Sequence, residues 1–136
     1  MILCNDVLTV FNAKLNPETG SDDYHATVIS GVSWFCEIVS NVDSSGLKSA
    51  NKFTTRIPET ADFGGKTYVT PRDYAGATDV GGAFTLQNGD IVVHGAVAET
   101  GLRPAALHKQ YEAFTILGVT DNRRAQNAPH WKVVGA

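Results

Sequence analysis

Cysteine, methionine, basic charge and long apolar runs are all scarce in this sequence, and each shortage closes off a class of protein. Two cysteines and one methionine stand among 136 residues. Cys4 and Cys36 lie far apart in apolar stretches, which favours reduced, buried thiols over a disulfide. Neither CxxC nor HExxH occurs, and His25, His94, His108 and His130 form no close ligand pair, so the pattern offers no metal site and no cofactor motif. Eleven lysines and arginines face 14 acids, for a formal net charge of -3. Free DNA binding by bulk charge is therefore disfavoured, because counterion release needs a concentrated basic surface. No apolar run approaches a membrane-spanning length, and Met1 to Cys4 lead straight into Asn5 and Asp6 without a charged leader. The expectation is a soluble chain made in the cytoplasm, with no membrane partner.

What is present is a succession of short strand patterns in one domain, residues 1–136. Asp6 to Leu15 alternates, with Leu8 and Val10 adding apolar character to the second face, which predicts a strand covered in part on both sides. A Pro/Gly/Asp turn over 16–22 leads to Tyr24–Ile29 and Val32–Val39, either two strands broken at Ser30 and Gly31 or one long bent strand. Trp34 and Cys36 share one face there, Phe35 and Glu37 the other. Lys52 to Ile57 gives the cleanest alternation, with Phe53, Thr55 and Ile57 inward. Asn88-Gly89, between Phe84 and Leu86 and then Ile91 and Val93, predicts a tight hairpin. Phe114 to Val134 predicts two closing strands around the polar loop 121–129, and alternation slips near Gly118, a β-bulge signal. Pro104, Ala105, Ala106 and Leu107 open the only convincing helix, near residues 103–112.

Two stretches carry no period: 40–51, rich in Ser, Asn, Asp and Gly, and 59–82, rich in Gly. Both predict long surface loops. About eight strands with one late helix predict a mostly β fold, a small antiparallel barrel or sandwich, with the barrel favoured because closure removes edges.

Chemistry-bearing residues have bland readings beside the sharp ones. His108 and Glu112, four apart on the helix, predict a surface hydrogen bond rather than a catalytic dyad. Gly64-Gly65-Lys66-Thr67 resembles the end of a phosphate loop but lacks its first glycine and its strand-to-helix setting. Trp131 reads as core. Arg123 and Arg124 read either as solvated charge or as a docking pair, arginine being suited to bidentate carboxylate or phosphate contacts and enriched at protein interfaces. With Asn122, and with Lys48, Arg72 and Tyr74 in the two long loops, they are the candidate interface residues. A small hydrolase using Cys36 or a histidine is a third reading, for which nothing local activates the thiol.

The segments CNDVLTVFN, VISGVSWF, GLKSANKFTTRIP, FTLQNGDIVVHG and GVTDNRRAQNAPHWKVVGA resemble a family of small proteins encoded in prophages and tailed phages of Firmicutes. The likeness runs from residue 4 to the C-terminus. Where that family commonly carries glycine after DNRR, this chain has Ala125. The resemblance implies a place in the head-to-tail connector module, and a looser likeness at the level of fold points to head-closure proteins of long-tailed phages, small β-barrels that form a ring beneath the portal. It implies a virion protein of the neck that is not an enzyme and needs no cofactor. Its partners would be copies of itself in a ring, portal or adaptor proteins above and tail proteins below, with DNA passing through without sequence-specific binding. A tail-terminator or tail-completion protein is the nearest rival, and a nucleic-acid-binding barrel is the rival from another class.

Overall fold

Strand alternation and two short helices give the chain order β1 (Asp6–Asn16), β2 (Ser21–Asp43), β3 (Gly46–Pro58), β4 (Thr67–Tyr68), α1 (Pro71–Gly76), β5 (Ala83–Phe84), β6 (Ile91–His94), α2 (Pro104–Gln110), β7 (Ala113–Asn122) and β8 (His130–Gly135). The computed structural model describes residues 6–43, 46–77, 80–97 and 104–136, with the backbone alone at 38–43, 46–51 and 104. Cys4 and Arg103 lie outside the described residues.

Six strands close into a barrel in the order β1-β2-β3-β8-β7-β6, every neighbouring pair antiparallel. Inward alternation on β3 is as the sequence predicts, with Phe53, Thr55 and Ile57 all buried. β2 is one long strand rather than two. Gly31 sits at φ 85 at the β1–β2 register shift, skipped between Ser30–Val7 and Val32–Asp6, a conformation open to glycine without a side-chain clash. The bulge expected near Gly118 is present: Ile116 pairs with Gly135, Gly118 with Val134, and Leu117 is the extra residue between them.

The barrel interior is packed by Leu8, Val10, Ile29, Val32, Phe53, Ile57, Val92, Phe114, Ile116, Trp131 and Val133, joined by Phe84 and Leu86 from the β5 segment. β1 and β6 are apolar on both faces because a second cluster covers them outside. Phe11, Ile91, Val93 and Val97 pack there around Leu107 of α2, which accounts for the mixed pattern of the first strand.

Three expectations are corrected by this architecture. Residues 40–51 are not a loop: the β2–β3 ladder runs on from Glu37–Lys52 to Asp43–Gly46. A two-stranded ladder is held by backbone bonds, which polar side chains do not oppose, so a missing hydrophobic period does not exclude a strand. Asn88-Gly89 does make a turn, with Gly89 at φ 91, but its flanks do not pair. The strand after it is taken on both edges by β1 and β7, while Ala83–Phe84 pairs in parallel with Thr67–Tyr68. A second helix, α1, exists beside the expected one; Thr70 caps it by accepting from the Asp73 amide at 3.3 Å, with proline in its first turn.

The 59–82 excursion is folded onto the barrel. Ala61, Phe63 and Tyr68 pack on the interior cluster, and a bridge pairs Ser30 with Asp62. Lys66 Nζ donates to the Ala26 carbonyl at 2.7 Å and to Thr27 Oγ1 at 3.1 Å. That lysine, the one in the phosphate-loop look-alike, is a tether, and burial lowers its pKa.

Candidate interaction surface

β3 runs past β8 at only one of its ends. Its pairing with β8 spans Phe53–Gly135 to Pro58–His130, whereas its pairing with β2 continues to Asp43–Gly46. From Lys52 to Gly46, therefore, the β2–β3 hairpin leaves the barrel wall as an arm with no third strand beside it among the described residues. The loop 123–129 stands at the other end of the same strand, where Pro58, His130 and Asn122 line up across β3, β8 and β7.

At that far end Arg123 is committed inside its own subunit. Its guanidinium forks onto Asp121, with Nε 2.9 Å from Oδ1 and Nη2 2.7 Å from Oδ2. It also lies over two rings, 4.9 Å from the Trp131 centroid and 5.1 Å from that of Tyr68. The hydrogen bond from Arg123, above its charge, holds the Asp121 carboxyl below the usual range. Arg124 is exposed and makes no hydrogen bond or ion pair among the described residues, although its charge also helps lower the Asp121 pKa. Ala125 closes a turn through its amide to the Asn122 carbonyl at 3.1 Å, and the left-handed residue of the loop is instead Ala128, at φ 52.

Lysine is a poor replacement for Arg123, since it can neither fork nor stack as a plane. For Arg123→Lys the expected loss of stability is about 0.5–1 kcal/mol, kept small by solvent screening. The sharper readout is the Asp121 carboxyl, whose pKa should rise in an NMR titration. An unchanged Asp121 pKa would contradict the fork.

The remaining candidates separate. Asn122 Nδ2 faces His130 Nε2 at 3.4 Å at the strand end, and Arg72 is exposed on α1. The Lys48 side chain lies outside the described residues, though its backbone is part of the arm. Tyr74 is corrected as an interface residue: α1 turns it inward and it is 1% exposed, so its ring is spent on the subunit's own packing. Burial, and then the charge of Asp90, push its hydroxyl up to about 12.

The root of the arm carries a cluster whose partners are too far apart in sequence for local pattern to reveal. His94, at the end of β6, stacks on Trp34 of β2 with centroids 4.4 Å apart and planes 7° apart. Its Nε2 lies 2.8 Å from Asp6 and its Nδ1 3.0 Å from Glu112. Glu112 thus serves His94, and His108 instead meets Thr115 Oγ1 at 3.2 Å, which corrects the expected His108–Glu112 bond. Cys36, just beyond on β2, is exposed rather than buried, and β2 has by then run past its pairing with β1, which ends at Val32. What burial its sulfur has, and then the Glu112 charge, raise its pKa, which keeps the thiol protonated and weakly nucleophilic. Among the described residues no group of three or more His, Cys, Asp or Glu could hold a metal ion.

Burial alone would lower the His94 pKa, but hydrogen bonds to Glu112 and Asp6 outweigh it and leave it raised. A raised folded-state value means that the clasp contributes fully below the unfolded value of about 6.5 and fades as pH climbs through the folded one. In urea titrations the gap between wild type and His94→Gln should be widest below about pH 6.5 and close on the alkaline side, with a ceiling of about 1 kcal/mol for groups this exposed. A gap that widens with pH would refute the clasp.

Residues 3–136 match the Family of unknown function (DUF6751), and the chain belongs to that family. No curated protein and no solved structure matches it.

Proposed function

We propose that this DUF6751 protein is a structural component of a tailed-phage virion, a head-closure or connector subunit that forms a ring between portal and tail. The observation that carries the reading is the placement of two contact devices at opposite ends of one rigid body. The two-stranded arm leaves the Gly46 end of β3, and the loop bearing Arg124 stands at the Pro58 end. A ring subunit wedged between two different neighbours needs that polarity, and a closed barrel keeps the two ends in register because no sheet edge can slip. The near-neutral balance of charge suits a channel wall that DNA passes without sticking. Asn122 and Arg124 are the contacts on one side, and Lys48 and its arm those on the other.

The nucleic-acid-binding alternative draws less support. It requires aromatic faces open for base stacking beside the arginines, whereas Trp131 is 3% exposed and the Arg123 guanidinium lies over both its ring and that of Tyr68.

The test removes the arm and keeps the barrel, joining Glu37 to Lys52 through an Asn-Gly turn in the parent phage or prophage. Because no third strand flanks the arm among the described residues, the barrel should fold with an unchanged urea midpoint. The expected lysate holds heads without tails alongside free tails. Normal infectious particles would overturn the reading, and intact heads carrying tails of aberrant length would move the protein to the tail-terminator role.

A further inference from the structure

The outward face of β2-β3-β8-β7 is an uncovered sheet whose residues align in rows. One row runs Phe35, Thr54, Val134 and Gly118, with Leu117 bulged beside its end. Phe35 is 54% and Leu117 63% exposed. The Val134 side chain leans over Gly118, 3.3 Å from where a Cβ would stand, so the row is mainly apolar, with Thr54 as its one polar member. The adjoining row is cationic, with Arg56 opposite Lys132, and Lys52 flanks the other side together with Glu37. Arg56, Lys132 and Lys52 make no hydrogen bond or ion pair among the described residues. α2 covers β1 and β6, leaving these four strands of the wall without an intramolecular lid among the described residues.

The third large exposed hydrophobic among the described residues, Leu15 at 60%, lies on β1 near its end, paired with Asp22 of β2 at the tip of the β1–β2 hairpin. Asp22 is its cross-strand partner, and Asp23 and Glu18 belong to the same hairpin tip, all exposed, with Asp23 accepting from Asn16 Nδ2 at 3.0 Å. The one cation within that tip, Lys14, has its Nζ on the Ala75 carbonyl at 3.1 Å. The tip is thus an apolar knob in an acidic collar, and the sheet face an apolar strip in a mainly basic border.

We infer that the Leu15 tip of one copy docks on the Phe35–Val134–Leu117 strip of a second copy, with Glu18, Asp22 and Asp23 meeting Arg56, Lys132 and Lys52. Apolar anchors fully desolvated at the centre supply affinity, and opposite charges around them set orientation and encounter rate. Because the two patches differ and sit at separate ends of β2, the contact is heterologous: each copy offers a tip to one neighbour and a strip to the next, the geometry that closes into rings. This deepens the connector reading and rests on it for its setting. The experiment uses the chain alone, so a portal that ignores the protein would leave the contact standing, and a failed contact would leave portal binding open.

Sedimentation of the pure protein from micromolar to millimolar concentration is the test, with Leu15→Glu and Phe35→Glu as variants at exposed positions. Wild type should self-associate, more weakly as salt rises. Each variant alone should stay monomeric with an unchanged circular dichroism spectrum. Mixed, they should give a 1:1 dimer that grows no further, because only the tip of the Phe35→Glu copy and the strip of the Leu15→Glu copy remain intact. Wild type that is monomeric at millimolar concentration, a variant that associates as wild type does, or a mixture without the dimer would each overturn the inference. A Phe35→Glu protein that loses portal binding while wild type never self-associates would assign the strip to the portal instead.

Discussion

Asn12→Leu is expected to cost about 3–5 kcal/mol, although leucine keeps asparagine's γ-branched shape, because the site is fully buried. Asn12 fastens the crossing segment 85–90 to β1. Its Nδ2 donates to the Thr85 carbonyl at 2.7 Å and to Asp90 Oδ2 at 2.9 Å, while its Oδ1 accepts from the Thr85 amide at 3.2 Å. The second Asp90 oxygen takes the Ala13 amide at 3.2 Å, and its backbone carbonyl takes the Ile116 amide at 2.8 Å. Leucine would strand a donor, an acceptor and one oxygen of a carboxylate that is 2% exposed.

The pH dependence sharpens this expectation. Burial raises the Asp90 pKa, and hydrogen bonds led by the one from Asn12 hold that rise in check. With the folded value above the unfolded one, the penalty for the buried charge is felt as pH rises through the folded value and vanishes below about 3.9. Losing Asn12 pushes the carboxyl further up, so the deficit in urea should be larger at neutral pH than near pH 4. A loss below about 1 kcal/mol, or one that grows on acidification, would show that the network does not hold the crossing segment.

Phe114→Ala should cost about 3–5 kcal/mol, since the ring is wholly buried and alanine leaves a cavity the barrel cannot close. Phe114 stacks on Phe53 of β3 at 5.1 Å and 12° and leans on Trp34 of β2 at 5.4 Å. It therefore joins β7 to the two strands that continue as the arm. A Phe114–Phe53 double-mutant cycle should return a coupling of about 0.5–1.5 kcal/mol. Amide exchange at 33–37 should accelerate more than exchange at 6–16, because the lost ring supports the arm's root. Equal acceleration of both would mean that the root has no local anchor.

Much of the barrel is legible in the residues, for identifiable reasons. Lys52–Ile57 alternates cleanly because one side of β3 faces the core and the other faces water, and the slip at Gly118 is visible because a bulge shifts the phase of the pattern by one residue. Trp131 reads as core and is core. What resists reading is set by partners distant in sequence. The turn at Asn88-Gly89 is encoded locally, but which strands flank β6 is decided by barrel closure. The ladder through 40–51 leaves no hydrophobic trace, since backbone bonds alone can hold two strands together.

The candidate site was harder to read, for the same reason. Arg123 and Arg124 look equivalent in sequence, and only the fold shows that Asp121, Tyr68 and Trp131 claim the first and leave the second. Tyr74 looks like loop decoration until α1 forms beneath it. The His94 clasp joins three segments, with Asp6 and Glu112 at sequence separations of 88 and 18, beyond the reach of any local motif.

The central claim, a ring subunit between portal and tail, is tested most directly by mass. The purified protein at micromolar concentration, alone and mixed with portal rings from the same phage or prophage, would be weighed by native mass spectrometry. The account predicts a monomer that adds to the portal as a single discrete ring of copies, and loses that addition when Arg124 is replaced by alanine or the arm is removed. Portal rings that keep their own mass in the presence of excess protein would contradict it.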